Sequence, residues 1–223
     1  MAVETGGGRS VEARRNMVDC QIRPSDVTRL DLIEAMLWAP REFLLPKSRR
    51  ATAYVGEHIE IASGRYELDP RVLAKMIDAT KVSSDDLVLV VGGGYGYAAA
   101  IFSRLAAAVI SLEEDAGMSQ AAQTVLAELS ADNVISAQGA LSHGCADHAP
   151  YDVILVNGAV SETPGVLIDQ LADGGRLTQI RMSGAVGQCE TIVKSEATQG
   201  ARRDFDATAP LLPGFQKGEV FEL

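Results

Sequence analysis

Cysteine is scarce in this chain. Cys20, Cys145 and Cys189 stand far apart in 223 residues and form no C-x-x-C pair. An odd number at that spacing builds neither a disulfide framework nor a thiolate zinc site, so they read as reduced thiols of a cytoplasmic protein. Long apolar runs are missing as well. No stretch nears the ~20 residues that cross a bilayer, and the opening MAVETGGGRSVEARR lacks the apolar centre of a signal peptide. The expectation is therefore no membrane partner. Cations are in deficit, with 20 Lys and Arg against 30 Asp and Glu for a net charge of -10. Tracking a phosphate backbone requires clustered cations, so nucleic acid is not an expected partner either. Histidine is sparse. His58 stands alone and His143 and His148 flank Cys145 without an evident fourth ligand, so no metal site is expected.

What is present is ordinary globular material, 47% hydrophobic and 22% charged, enough for one packed α/β domain. Residues 1–16, rich in Gly, Ser and charge, read as a mobile tail whose ordering would cost more entropy than burial returns. The single domain then spans 17–223, with a helical lid and substrate loop to 86, a nucleotide-binding core over 87–180 and C-terminal strands over 181–223. In TRLDLIEAMLWAP, Thr28 and Asp31 suit a capping box, Leu30, Ile33 and Leu37 share a stripe, and Pro40 marks the exit. YELDPRVLAKMIDAT offers Asp69 as N-cap and Pro70 as first helical residue, with Val72, Leu73, Met76 and Ile77 at helical spacing. Trp38 is expected to pack at the sheet edge, and Arg14 and Arg15 to be solvated.

From Leu87 short β-rich runs alternate with helical stretches, which implies a parallel sheet covered on both faces. Asp115 suits the cap of a helix burying Met118, Ala121, Val125 and Leu129. ETPGVLIDQLADGG reads as a helix closed by its glycines. After Ile180 the helical period stops and antiparallel strands are expected.

The stretch LVLVVGGGYGYAAA holds the clearest chemical signal. Gly92, Gly94 and Gly96 follow a buried strand and precede a helix, so a ligand can approach the backbone there. Glu113 ends the next strand about 20 residues on, where a carboxylate accepts ribose hydroxyls in nucleotide-binding folds. A plain strand-to-helix turn would also use such glycines. The frame Gly94-x-Gly96-x-x-Ala99 would satisfy a dinucleotide fingerprint but starts late and lacks a second mononucleotide half, so the frame Gly92-x-Gly94-x-Gly96 fits S-adenosylmethionine better.

Beyond the glycine loop the chain resembles the protein-L-isoaspartate O-methyltransferases from about Met17 to Phe215. The resemblance rests on APREFLLP, LDPRVLAKMI, VVGGGYGYAAA, VISLEED, the long match APYDVILVNGAVSETPGVLIDQLADGGRL and the closing FDATAPLLPGF. It implies a three-layer, Rossmann-like methyltransferase fold with a mostly parallel sheet of about seven strands. It also implies transfer of the methyl of S-adenosylmethionine to the carboxylate of isoaspartyl residues in damaged proteins. Cofactor contacts would fall on Gly92, Gly94, Gly96, Glu113 and Ala140, where Ala140 takes the place of an Asp near the adenine. Leu68 takes the place of a Ser in the substrate loop, and Val90 that of a carboxylate ending the first strand. No catalytic side chain is assigned, since a carboxylate acceptor is already nucleophilic. The alternative is a catalytically silent member with weakened cofactor binding that serves as a peptide- or protein-binding module.

Overall fold

The computed structural model describes residues 8–195 and 199–216. The chain opens with α1 (Gly8–Met17) and α2 (Leu30–Trp38), then a small antiparallel hairpin of β1 (Ile59–Ala62) and β2 (Arg65–Glu67), then α3 (Pro70–Thr80). β3 (Leu87–Val91), α4 (Tyr97–Phe102), β4 (Ala108–Glu113), α5 (Ala116–Glu128) and β5 (Val134–Gln138) alternate after it. β6 (Tyr151–Val160), a short α6 (Gly165–Asp169), β7 (Leu171–Ser183), β8 (Val186–Lys194) and β9 (Gln199–Asp206) complete the order. Seven strands form one sheet in the order β5-β4-β3-β6-β7-β8-β9. The first five pair in parallel and β8 and β9 run antiparallel, as expected. β5 and β9 are the outer strands, and β9 carries Arg202, Arg203, Asp204 and Asp206. Among the described residues no helix is long and apolar enough to cross a membrane, and no group of three or more His, Cys, Asp or Glu could hold a metal ion.

The apolar run of β3 is explained by burial on both faces. Val88 and Val90 point into one core with Met36, Leu73, Ile77 and Phe102. Leu89 and Val91 point into a second with Ile110, Ile154 and Leu167. A strand covered on both sides has no solvated face to mark with polar residues.

Two helix starts follow the sequence. The Asp69 carboxylate accepts from Arg71 N at 2.7 Å with Pro70 in the first turn, and Asp115 accepts from Met118 N at 2.8 Å. Four expectations are corrected. The inward stripe of α5 is Met118, Ala122 and Leu126, one turn apart each, with Ala121, Val125 and Leu129 only half-buried beside it. α2 starts without a side-chain cap, because the Asp31 carboxylate is taken by Arg29 and by Leu32 N, and Leu30 is 69% exposed. α6 ends at Asp169, and Gly174 and Gly175 lie inside β7, where its register with β6 shifts.

The fourth correction concerns the tail. Residues 1–7 lie outside the described residues, but the chain is helical from Gly8. Arg14 is buried, not solvated. It donates to Leu37 O at 3.0 Å and Trp38 O at 3.1 Å, meets Tyr54 Oη at 3.0 Å and pairs with Glu42. Carbonyls at a helix C-terminus lack internal partners, and a guanidinium that satisfies two of them is worth ordering. Composition could not show this, because the contact is made across more than twenty residues.

Gly93 and Ser111 set the closeness of the β3 turn to β4. A Cβ on Gly93 would lie 2.2 Å from Ser111 Oγ. Gly93→Ala should lower stability by ~1–3 kcal/mol through overpacking, and adding Ser111→Ala should restore most of it. Thermal unfolding of the single and double variants checks this; no recovery in the double variant would remove the steric explanation.

Candidate nucleotide-binding site

Gly92, Gly94 and Gly96 take φ of 81°, 55° and 92°. That left-handed backbone is open to glycine and strained for other residues, so the loop's composition follows from its shape. The turn is closed upon the sheet. Gly92 N and Gly93 N both donate to Leu112 O, at 3.0 and 2.9 Å, and Gly96 N donates to Gly93 O at 2.9 Å. Gly94 N donates to Glu113 Oε2 at 2.7 Å. These amides, which the sequence offered to a ligand, serve the protein itself. From β6, Asn157 Nδ2 donates to Gly92 O at 3.1 Å and fixes the loop from the other side.

Glu113 lies where expected, at the end of β4 beside the loop, and is buried. Its carboxylate is fully engaged. Oε1 accepts from Glu114 N at 2.8 Å and Asp115 N at 3.1 Å, Oε2 from Gly94 N, and each oxygen also takes one nitrogen of Arg65, at 2.7 and 2.8 Å. Burial opposes ionisation, but the Arg65 guanidinium and the amides of Asp115 and Gly94 outweigh it and hold the carboxyl below its usual range. Arg65 comes from β2, a three-residue strand that no sequence motif singles out.

Two further side chains lie over the loop. Leu212 reaches within 3.3 Å of a Cβ built on Gly92 and 2.5 Å of one built on Gly158, and Ile61 within 3.1 Å of one on Gly94. Leu212 is delivered by residues 207–216, which cross the sheet end through hydrogen bonds of Ala159 N to Pro210 O and Leu212 N to Ala159 O. Ala140 is exposed just past β5, next to Gly139, whose N donates to Glu113 O at 3.2 Å. Leu68 has no exposed surface; its side chain packs in the same cluster as Val90, and its carbonyl accepts from Arg41.

Beside α3 an open cavity of about 810 Å³ is lined by His58, Asp69, Arg71, Lys75, Phe205 and Thr208, among others. His58 staples three segments: Nδ1 accepts from Asp69 N and Nε2 therefore donates to Thr208 O, both at 3.0 Å.

The model of the family described as protein-L-isoaspartate(D-aspartate) O-methyltransferase matches residues 13–199. The chain belongs to this family. A protein-L-isoaspartate O-methyltransferase of Koribacter versatilis is 34% identical over 86% of this chain and 86% of its own length. Another, of Roseiflexus castenholzii, is 37% identical over 74% and 75%. Among solved structures, a protein-L-isoaspartate O-methyltransferase superposes with a TM-score of 0.77 at 24% identity, covering 90% of this chain and 66% of that one. A Plasmodium falciparum protein of that description, in complex with S-adenosyl-L-homocysteine, gives 0.74 at 19% identity over 91% and 97%. At such identities these two likenesses concern the fold.

In this member of the protein-L-isoaspartate O-methyltransferase family, Leu68 and Val90 have a shared physical setting. Both side chains are buried in one apolar cluster. A carboxylate at 90 or a hydroxyl at 68 would there need a partner that the apolar neighbours do not supply.

The Arg65–Glu113 pair yields a test of stability. Removing one member of a buried pair strands the other, so Glu113→Gln should cost ~3–5 kcal/mol. The folded pKa of Glu113 lies below the unfolded value of about 4.3, so its contribution is complete above that value and is lost as pH falls through the folded pKa. Urea unfolding between pH 7 and pH 3 should show wild-type stability falling at the acid end with a weaker fall in Glu113→Gln. Equal acid slopes would deny Glu113 this role.

Proposed function

We propose that this chain transfers the methyl group of S-adenosylmethionine to the side-chain carboxylate of isoaspartyl residues in proteins. The observation that carries this reading is the family match over residues 13–199, supported by relatives at 34% and 37% identity that bear that activity in their names. The backbone fits the group: three left-handed glycines form the cradle, Glu113 ends the neighbouring strand, and Ala140 follows the next one. In this reading Gly92–Gly96 and Glu113 hold the ribose end and Ala140 lies near the adenine. The side chain of Arg65 shares that anchor.

When bound, S-adenosylmethionine supplies a methyl on a sulfonium, already a good leaving group. The acceptor is an ionised carboxylate, already nucleophilic. The chain's residues therefore need only hold the partners in line and exclude water, and no general base is required. That accounts for a site without a nucleophile–histidine pair. For the acceptor, the cavity beside α3 suits an acidic peptide segment. The chain carries a net charge of -10, which repels such a peptide overall, while Arg71 and Lys75 line the cavity from α3 beside Asp69, and Arg203 on its far wall is paired with Asp206. Lys75 is held over the Phe205 ring at 4.7 Å, which keeps its ammonium facing the cavity region.

Incubation with methyl-labelled S-adenosylmethionine and an isoaspartyl peptide should yield a base-labile methyl ester; none at high enzyme concentration would end the reading. Arg71→Glu combined with Lys75→Glu should raise KM for the peptide roughly fivefold, from ~1 kcal/mol of lost attraction at partly exposed positions, with kcat nearly unchanged. An unchanged KM would place the acceptor elsewhere.

A further inference from the structure

We propose that Arg65 is an affinity-determining residue of the cofactor site, an internal competitor that must leave Glu113 before a ribose can bind there. This rests on the reading of the chain as an S-adenosylmethionine-dependent enzyme. The argument is a count of lone pairs. A carboxylate offers about four acceptor positions. The amides of Gly94, Glu114 and Asp115 and two nitrogens of Arg65 already bring five donors to Glu113. A ribose diol would add two more, and nothing is left to accept them. With Arg65 withdrawn the three amides remain and the carboxylate stays oriented, and the two hydroxyls of a ribose would bring the count back to the same five donors.

The geometry places Arg65 over that loop as well as on the carboxylate. Its Nη2 lies 3.5 Å from a Cβ built on Gly92, the first glycine of the cradle.

Two observations say how Arg65 is poised to leave. Its Nε is buried with no acceptor, so the guanidinium is held by one edge and carries an unmet donor at the other. Its strand, β2, pairs only with β1, and this hairpin packs through a small cluster of Leu45, Ala53, Ile59, Ile61 and Met118 that is separate from both sheet cores. The turn before Arg65 contains Gly64 at φ 68° with open space around it. Arg65 therefore follows an open turn and lies outside the hydrogen-bonded ladder of the main sheet.

The test is calorimetric titration of the full chain with S-adenosylhomocysteine and with its 2′,3′-dideoxy analogue, each variant first shown by thermal unfolding to be folded. Arg65→Met keeps the apolar stem and removes the fork; it should bind S-adenosylhomocysteine at least tenfold more tightly than wild type. The gain should shrink to less than threefold for the dideoxy analogue, which has no diol to compete for Glu113. Arg65→Lys, a single point charge, should fall between wild type and Arg65→Met, and it stands in if Arg65→Met does not fold. Measurable wild-type binding with no gain in either variant, or an equal gain for both ligands, overturns the proposal and leaves the methyltransferase reading standing. No binding by folded wild type and folded variants at millimolar ligand overturns that reading itself, and this inference with it.

Discussion

A cation with no exposed surface joins the N-terminal segment to the sheet. Arg41 Nε donates to Ala53 O at 2.7 Å, Nη2 to Leu68 O at 2.7 Å and Nη1 to Glu67 Oε1 at 3.2 Å, and its guanidinium lies 4.6 Å from the centre of the Tyr97 ring. Taking a guanidinium out of water costs several kcal/mol, recovered only when all its partners stand in place together. The turn after α2, the end of the following helical turn, the exit of β2 and the first residue of α4 are thereby tied to one geometry. Glu67 is part of that cost: burial dominates over the attraction of Arg41 and Arg65 and raises its carboxyl, and one of its oxygens has no partner. Tyr97, whose hydroxyl is likewise without a partner, is pushed by burial up to about 12.

From Arg41 the charges run in alternating sign toward the nucleotide end of the sheet. Arg65 and Glu67 stand two apart on β2 and so share a face. Arg41, Glu67, Arg65 and Glu113 then form a line of buried groups, each beside one of opposite sign, leading from the N-terminal segment to the glycine loop. These pairs join parts of the chain that are far apart in sequence, with some fifty residues between Arg65 and Glu113. Family membership accounts for the sheet and the loop.

What was legible in the sequence was local. The strand–glycine–helix unit, the strand-end carboxylate Glu113, the caps at Asp69 and Asp115 and the alternation that makes a parallel sheet all depend on residues within a few positions of one another. What was not legible depended on distant partners. Arg14 looked like tail charge until the end of α2 supplied its acceptors, and Thr28 looked like a cap until Arg29 claimed Asp31. Glu113 could be placed by spacing, but spacing does not say which donor reaches a carboxylate first, and a three-residue strand such as β2 leaves no periodic trace. Arg41 and Glu42 sit in a short PREF turn that the sequence marked only by resemblance; both are buried, against the usual expectation for charged residues.

One outer strand of the sheet has a consequence for how copies of this protein meet. A sheet whose central strands are almost wholly Val, Ile and Leu is a template for further strands wherever its backbone edge is open, and aggregation begins at such edges. On β9 the open edge is dressed with charge: Arg202 pairs with Asp204 at 2.8 Å and Arg203 with Asp206, and the two arginines remain mostly exposed. A strand from a neighbouring molecule would have to displace water from both guanidinium groups and from Asp206 to extend the ladder on this side. The polymer that the core sequence invites is refused at this edge.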